Sequence, residues 1–410
     1  MLKKKENDMK IMKLNINEIL KPTFWKITSV IIVIVGLFST YFRFTQGLGA
    51  TTNLQDTVPW GLWIGFDFIG VGLAAAGFTI AATVHIFNIH KYEPLVRPAI
   101  LTAFLGYSVV VCLLVVDLGR PEHFYHPLYM WNIHSVMFEI TWCLICYSTV
   151  LLLEFAPVVL EKFNIKAPIK ILKAISIPVV IIGVLFSTLH QSSFGSLYLI
   201  VPGKLHPLWY SSLLPVHFYV SCIAAGLSMI IFESFLIARG LTKEEGFQNT
   251  GLKMNILSGA AFAVLIALIA GLLLKIYDFI DSGKLYLLTI PSTETYLFYL
   301  EILLGTIVPI YLLSHKKLRE NKKWLYITSI CVISGLILNR INVSITGLAA
   351  SSGVSYFPSF DEISITLMLI VLAIFAFRLV AKNFAVFITE EHEHSVSEKD
   401  IAKTKPITIS

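Results

Sequence analysis

The chain has 410 residues, of which 56% are hydrophobic and only 14% are charged. A soluble chain of this length adds further domains and does not become this apolar, so the composition excludes a soluble globular enzyme. The formal net charge is +6. Because the basic residues are spread over the connections between apolar runs, this charge argues against a nucleic-acid-binding protein.

Apolar runs of about 20 residues recur along the chain, and a helix of that length crosses the hydrocarbon layer of a bilayer. Repeated runs of this kind indicate helices and not a β-barrel. We therefore predict an all-α integral membrane protein, surrounded by membrane lipid. The ten predicted transmembrane spans are at about 24–44, 60–87, 96–117, 134–156, 170–190, 211–237, 252–277, 293–313, 323–341 and 362–388.

The first span begins near Phe24 behind a lysine-rich segment. No small-residue cleavage site follows it, which predicts a retained helix and not a signal peptide. Residues 1–23 are predicted to form an N-terminal tail, residues 24–389 the transmembrane domain, and residues 390–410 a disordered tail. Lysine and arginine concentrate in both tails and in alternate connections, so the positive-inside rule predicts that both termini are cytoplasmic.

Two spans share a stretch of small residues after a loop that contains proline and tryptophan. The stretches are Ala74-Ala75-Ala76-Gly77 in the second span and Ala224-Ala225-Gly226 in the sixth. This pattern is typical of an internal duplication of a four-helix unit. Small residues also let helices pack closely in any membrane bundle, so the sequence leaves both explanations open.

Ionisable groups inside a bilayer are costly and mark functional sites by default. With the predicted orientation, most of them lie near the outer face. These residues are Asp67, Asp117, Arg120, His134, Glu139, His190, Gln191, His217 and Glu301. Glu139 has no cation within one helical turn and is predicted to lie roughly 8–10 Å inside the apolar layer, as are Asp67 and Glu301. Such an acid is suited to exchanging protons with a bound quinone.

Other polar residues have structural explanations as well as functional ones. Asp117 and Arg120 are three residues apart, so they can form an ion pair on one helix face or take part in a site. His190 and Gln191 are predicted to end the fifth span, where they could bind a quinone carbonyl or anchor a wet loop. His217 could bind a ligand or cap a cavity.

Three polar residues lie toward the opposite ends of their spans. For Glu154, Glu233 and His85, snorkelling of the side chain to the cytoplasmic interface is a sufficient explanation.

The sequence gives little support for a metal site or for haem. The five cysteines all lie in apolar runs, and Cys143-x-x-Cys146 has no second pair, so neither a disulfide framework nor a metal centre is predicted. A two-haem cytochrome b needs histidine pairs near both membrane faces, whereas the span-associated histidines crowd one side. We predict no haem, and electrons must then come from a partner subunit.

Several motifs together resemble the NrfD/PsrC family, in particular its ten-span branch found with periplasmic nickel–iron hydrogenases and multihaem-cytochrome complexes. The resemblance runs from about Trp60 to the last span. The matching strings are PWGLWIGFDF at 59–68, HKYEPLVRPAILTAFLGYS at 90–108, DLGRP at 117–121, WNIHSVMFE at 131–139, LEFAP at 153–157, HQSSFGSL at 190–197, HPLW at 206–209 and YFPSFDE at 356–362.

This resemblance implies a subunit without a redox centre of its own, built from two four-helix bundles plus two extra helices in the bacterial inner membrane. It would bind menaquinone or ubiquinone near the outer face. Its partners would be a periplasmic ferredoxin-like iron–sulfur subunit and the catalytic subunits of a hydrogenase, or a multihaem cytochrome c. By the same resemblance, Glu139 matches the functionally important acid of the family, and His134 matches a histidine present in some members.

The sequence therefore predicts a quinone-reactive electron-transfer subunit, with proton translocation as an additional activity to be tested. The candidate catalytic residues are Glu139, Asp67, Asp117 and Arg120, and the candidate quinone ligands are His134, Glu139, His190, Gln191, His217 and Asp67. One alternative is a secondary transporter, which predicts polar groups and broken helices near the middle of the membrane. Another is a redox-inactive anchor, which would leave Glu139 and Asp67 unexplained.

Overall fold

The computed structural model describes residues 24–240, 254–354, 356–384 and 386, which are helical almost throughout. Ten helices in these ranges are long and apolar enough to cross a membrane, as predicted. They are α1 (Phe24–Gln46), α2 (Leu62–His85), α3 (His90–Asp117), α4 (Val136–Lys162), α5 (Ser176–Leu199), α6 (Leu214–Ala238), α7 (Met254–Asp281), α8 (Thr293–Ser314), α9 (Lys322–Ala349) and α10 (Phe360–Asn383). The predicted tails, 1–23 and 390–410, lie outside the described residues.

Capping side chains fix where several helices begin. Ser135 accepts a hydrogen bond from the backbone N–H of Phe138 at the start of α4, and Ser292 does the same for Thr295 at the start of α8. Ser359 and Glu362 form a complete capping box at the start of α10. These caps satisfy N–H groups that have no partner within the helix. They place the three helix starts at the side of the molecule that we call the distal face.

The helices form two four-helix bundles and one peripheral pair, as predicted. In the first bundle, α2, α3, α4 and α5 pack in sequence and α5 returns to α2; the second bundle repeats this order with α6, α7, α8 and α9. Helices α1 and α10 pack on each other and against α3. The bundles join where α2 and α5 contact α6, and where α9 contacts α2.

The two small-residue stretches pack against each other at the centre of this junction. A Cβ atom on Gly226 of α6 would lie only 2.4 Å from the backbone N of Ala76 in α2. The second and sixth helices thus occupy equivalent positions in the two bundles and cross at equivalent stretches. This arrangement favours the duplication of a four-helix unit over a coincidence of packing.

The boundaries of α5 and α9 differ from the predicted spans. The predicted span 170–190 was wrong because residues Lys166–Ala174 form a separate short helix, and α5 runs from Ser176 to Leu199. His190 and Gln191 therefore lie inside α5 and do not end it. Helix α9 continues beyond the predicted residue 341 through a π-helical turn, Asn342–Thr346.

Candidate functional site

Glu139 lies in the first turn of α4 on the exposed surface of the chain. The predicted span began at 134, whereas the helix starts at Val136, so Glu139 lies three residues inside the helix. Its depth in the bilayer stays a prediction. Its Oε1 atom accepts a hydrogen bond of 2.7 Å from Ser193 Oγ in α5. The N-terminus of a helix stabilises a carboxylate, so the site holds an accessible acid at the distal end of the first bundle.

Aromatic residues flank Glu139 in the sequence and contact one another. The rings of Trp131 and Trp142 are 5.1 Å apart, and Phe138 contacts both of them. His134 is exposed in the loop before α4, so it lies beside the site and outside the span. This loop and the first turn of α4 carry a run of exposed apolar side chains: Phe124, Tyr125, Leu128, Tyr129, Met130, Trp131, Ile133 and Met137.

The interior of the first bundle contains polar groups that lack partners. Asp67 is 3% exposed and His190 is completely buried. The ring of His190 lies 5.6 Å from that of Tyr107, which lies 4.8 Å from that of Tyr147. Within the described residues, no partner is found for Asp67 Oδ1, for either ring nitrogen of His190, or for the hydroxyl of Tyr107. The Tyr147 hydroxyl lies close to Ser187 and to the backbone of Phe78. Buried polar atoms without partners indicate places for water or a ligand.

This polar row continues toward the opposite, proximal face. A Cβ atom on Gly183 would lie 3.7 Å from the ring of Tyr147 and 3.9 Å from a carboxylate oxygen of Glu154. Glu154 therefore turns toward the bundle and not toward the interface, contrary to the snorkelling expected from its position. Tyr107 and Tyr147 were missed in the sequence because tyrosines inside apolar runs carry no distinguishing signal.

Two further predicted residues are engaged in helix contacts. Gln191 Nε2 donates to the Val71 carbonyl at 2.9 Å, and its Oε1 atom accepts from Cys222 Sγ at 2.7 Å. Gln191 thus connects α5 to α2 and α6. Glu233 accepts a hydrogen bond of 2.6 Å from Thr102 Oγ1, which joins α6 to α3 and replaces the expected snorkelling.

The predicted ion pair between Asp117 and Arg120 is not formed. Helix α3 ends at Asp117 and Arg120 is exposed in the loop, so the helical spacing that would bring them together does not exist. No salt bridge joins the two anywhere in the described ranges. Arg43 of α1, only 2% exposed, instead binds the end of α3 by donating to the carbonyls of Val116 and Leu118.

The YFPSFDE segment secures the distal loops. Glu362 is completely buried and accepts hydrogen bonds from the backbone N–H of Asn53 and from the Tyr356 hydroxyl. Burial and this contact with the carboxylate raise the pKa of Tyr356. Tyr356 also accepts a hydrogen bond from the Leu62 N–H at the start of α2. The segment therefore has a structural role at the start of α2.

A second polar cluster lies in the second bundle around Glu301, which is 4% exposed. Its carboxylate accepts hydrogen bonds from four side chains on α7, α9 and the loop before α6: Lys275 at 3.1 Å, Trp209 at 2.9 Å, Asn339 at 2.8 Å and Asn342 at 3.0 Å. The cluster borders a cavity of about 100 Å³ among α6, α7, α8 and α9, and His217 lines the same cavity. The predicted site residues therefore divide between the two bundles.

The residues around the buried histidine do not fit a haem. The ring of His190 is packed between Tyr107 at 5.6 Å and Phe194 at 4.6 Å, which leaves no space for a porphyrin. In the described part of the chain, no group of three or more His, Cys, Asp or Glu side chains could hold a metal ion. The absence of haem stays a prediction.

Comparison with known proteins identifies the family. Residues 50–351 match the family model described as "Polysulphide reductase, NrfD". The chain belongs to the NrfD family. A "Probable Ni/Fe-hydrogenase 2 b-type cytochrome subunit" of Escherichia coli K12 is 32% identical to this NrfD protein over 356 residues, covering 86% of this chain and 89% of the relative.

Two relatives come from Nitratidesulfovibrio vulgaris strain Hildenborough. One, whose name is only "Protein", is 37% identical over 364 residues, covering 87% of this chain and 92% of the relative. The other, a "Menaquinone reductase, integral membrane subunit", is 26% identical over 384 residues, covering 86% and 88%. This NrfD protein is thus a multi-span membrane protein of a family that includes membrane subunits of hydrogenase and reductase complexes.

Proposed function

We propose that this NrfD protein is the quinone-reactive membrane subunit of a bacterial respiratory complex. It exchanges electrons between a periplasmic iron–sulfur partner subunit and menaquinone or ubiquinone in the inner membrane. The distribution of basic residues supports cytoplasmic termini, which makes the distal face periplasmic. The exposed apolar side chains between α3 and α4 form a docking surface for the iron–sulfur partner next to Glu139. The remaining partners would be a hydrogenase or a multihaem cytochrome.

The exposed Glu139 carboxylate carries this proposal. A quinone that accepts two electrons also takes two protons, so its ring oxygens need a nearby group that exchanges protons. Ser193 holds one carboxylate oxygen of Glu139 at 2.7 Å, and the exposed side remains open to a molecule arriving from the bilayer. Trp131 and Phe138 supply flat apolar surfaces on which a quinone ring can pack.

The experiment that tests this proposal is photolabelling of the intact complex with an azido-quinone. We expect label in residues 131–142 or 190–198, displaced by an excess of unmodified quinone. Peptides 267–275 and 301–306, which line the cavity of the second bundle, serve as the internal control and should stay unlabelled. A complex that takes up no displaceable label anywhere in this chain would instead identify a redox-inactive anchor.

Proton supply to the quinone is the second part of the proposal. The buried row formed by His190, Tyr107, Tyr147 and Glu154 extends from the neighbourhood of Ser193 toward the proximal face, with Asp67 beside its distal end. Its unpartnered polar atoms can hold water molecules that pass protons along the row. This route would bring the protons for quinone reduction from the cytoplasmic side.

Replacing Tyr147 by Phe tests the row, because it removes one hydroxyl and keeps the ring. We expect turnover with quinone to fall by about 10-fold, less than the roughly 100-fold typical of a group that transfers a proton directly to the reacting atoms. Tyr41→Phe is the matched control, since Tyr41 is 63% exposed on α1. Equal turnover of both variants, measured at saturating quinone, would remove Tyr147 from the route.

A further inference from the structure

The cavity of the second bundle is not used by the quinone site proposed above. Its volume of about 100 Å³ is smaller than the roughly 150 Å³ of an apolar cavity that accommodates benzene. Its polar lining residues Lys275, Glu301 and Asn339 can bind water.

The polar end of this cavity is formed around a carboxylate that is fully engaged. Glu301 Oε1 accepts from Lys275 and Asn339, and Oε2 accepts from Trp209 and Asn342. Four donors stabilise the charged form of a carboxylate. Glu301 is thus a fixed negative charge, and it keeps three donors even when Lys275 is neutral.

Lys275 is the member of this cluster whose N–H groups can form further hydrogen bonds. An ammonium group has three N–H donors; one binds Glu301 at 3.1 Å, while the side chain also borders the cavity. The ammonium lies 5.0 Å from the ring centre of Phe298. The remaining N–H groups can therefore bind water in the cavity, where protons can be gained and lost.

Other charged and titratable groups face Lys275 from neighbouring helices. Arg340 of α9 is 1% exposed and donates to neutral acceptors, Ser221 Oγ and the Phe218 carbonyl among them. The other groups facing the site are His217 of α6, which lines the cavity, and Asp278 of α7, which accepts a hydrogen bond of 2.6 Å from Ser211.

Backbone geometry marks the same position. Helices α8 and α9 each contain a π-helical turn next to the cluster, at Leu303–Ile307 and Asn342–Thr346. The first turn contributes Gly305 and Thr306 to the cavity wall, and the second contributes Asn342 to the Glu301 carboxylate. Single π-helical turns inside α-helices occur frequently at functional sites.

A chain of hydrogen bonds connects this cluster to the first bundle. Arg340 Nη2 donates to Cys222 Sγ at 3.3 Å, and Cys222 Sγ donates to Gln191 Oε1 at 2.7 Å. Gln191 is the residue next to His190, which belongs to the buried row of the first bundle. A change of charge in one bundle therefore has a physical connection to the other.

We propose that Lys275 is the proton-loading site of a proton-translocation pathway in the second bundle. Its neutral amine takes a proton from a protonated water, which is left as H2O, and becomes an ammonium. The ammonium then gives the proton to a second water molecule, which leaves as H3O+ and restores the neutral amine. Electron transfer from the iron–sulfur partner to quinone supplies the energy, so the inference rests on the proposed function. The protons moved this way add to the two consumed in forming each quinol.

The test uses the intact complex in lipid vesicles and the substitution Lys275→Arg. Arginine keeps the positive charge beside Glu301 but cannot be deprotonated in a protein. Turnover with quinone and proton movement across the vesicle membrane are measured together. We expect turnover within about twofold of the unmodified complex and a loss of about one proton translocated per quinol formed. Lys284→Arg, which alters a lysine bound to the Tyr210 carbonyl at the distal end, should change neither quantity.

The outcomes separate the two proposals. An unchanged ratio of protons to electrons in Lys275→Arg would show that the pair with Glu301 is only structural and would overturn the inference. An unmodified complex that moves no protons beyond those of quinol formation would overturn it as well. If Lys275→Arg does not assemble, Lys275→Gln is used under the same criteria. Loss of all turnover with quinone in the unmodified complex would instead contradict the proposed function.

Discussion

Substitution of Glu139 by Gln is expected to lower quinone-dependent turnover of the intact complex by about 100-fold or more. Glutamine has nearly the same shape, and its Oε1 atom can still accept the hydrogen bond from Ser193. It cannot carry a proton, and general acid–base catalysis contributes roughly 100-fold to 10,000-fold. The measurement is the rate of quinol formation, or of its oxidation, with electrons supplied through the natural partner subunits.

Two controls make this prediction specific to the quinone step. Glu122→Gln changes a carboxylate in the exposed loop before α4, with 65% of its side chain exposed, and should leave turnover unchanged. Electron transfer from the complex to a soluble dye that bypasses quinone should stay normal in Glu139→Gln. Full quinone turnover in Glu139→Gln would show that this carboxylate takes no part in proton exchange.

The number and order of the spans could be predicted from the sequence because each one obeys the same local rule, a long apolar run between charged or turn-forming residues. The depth of individual polar groups could not be predicted as well. His190 was placed too near a helix end because a helix can continue through polar residues that find partners inside the protein. Helix α5 continues past His190 since Gln191 and Ser193 are satisfied by neighbouring helices.

The cluster around Glu301 shows why the rest of the site could not be predicted from the sequence. The acid itself stands out in an apolar run, but its donors come from α7, α9 and the loop before α6, and nothing in the local sequence relates them. Lys275 resembles a lysine that reaches toward the membrane surface, and Asn339 and Asn342 lie at the end of a predicted span. Only the packing of the second bundle brings these residues to one carboxylate.

Gly226 lies at the junction between the two bundles, and its substitution is the subject of the last prediction. The expected result of Gly226→Ala is a loss of about 3 kcal/mol or more of stability, at the upper end of what overpacking costs. The added Cβ would lie 2.4 Å from the backbone N of Ala76 and 2.8 Å from the carbonyl carbon of Ala75, and backbone atoms cannot rotate away. Helices α2 and α6 must then separate, which disturbs both bundles at once.

Gly271→Ala is the matched control for this substitution. It adds the same methyl group to a membrane helix, but the nearest atom, Val220 Cγ1, lies 3.5 Å away at an ordinary contact distance. Because alanine favours the helix over glycine by up to about 1 kcal/mol, this variant should be as stable as the unmodified protein or slightly more so. The measurement is the temperature at which each purified variant loses its monodisperse state in detergent. Equal melting of the two variants would mean that the close crossing of α2 and α6 does not hold the bundles together.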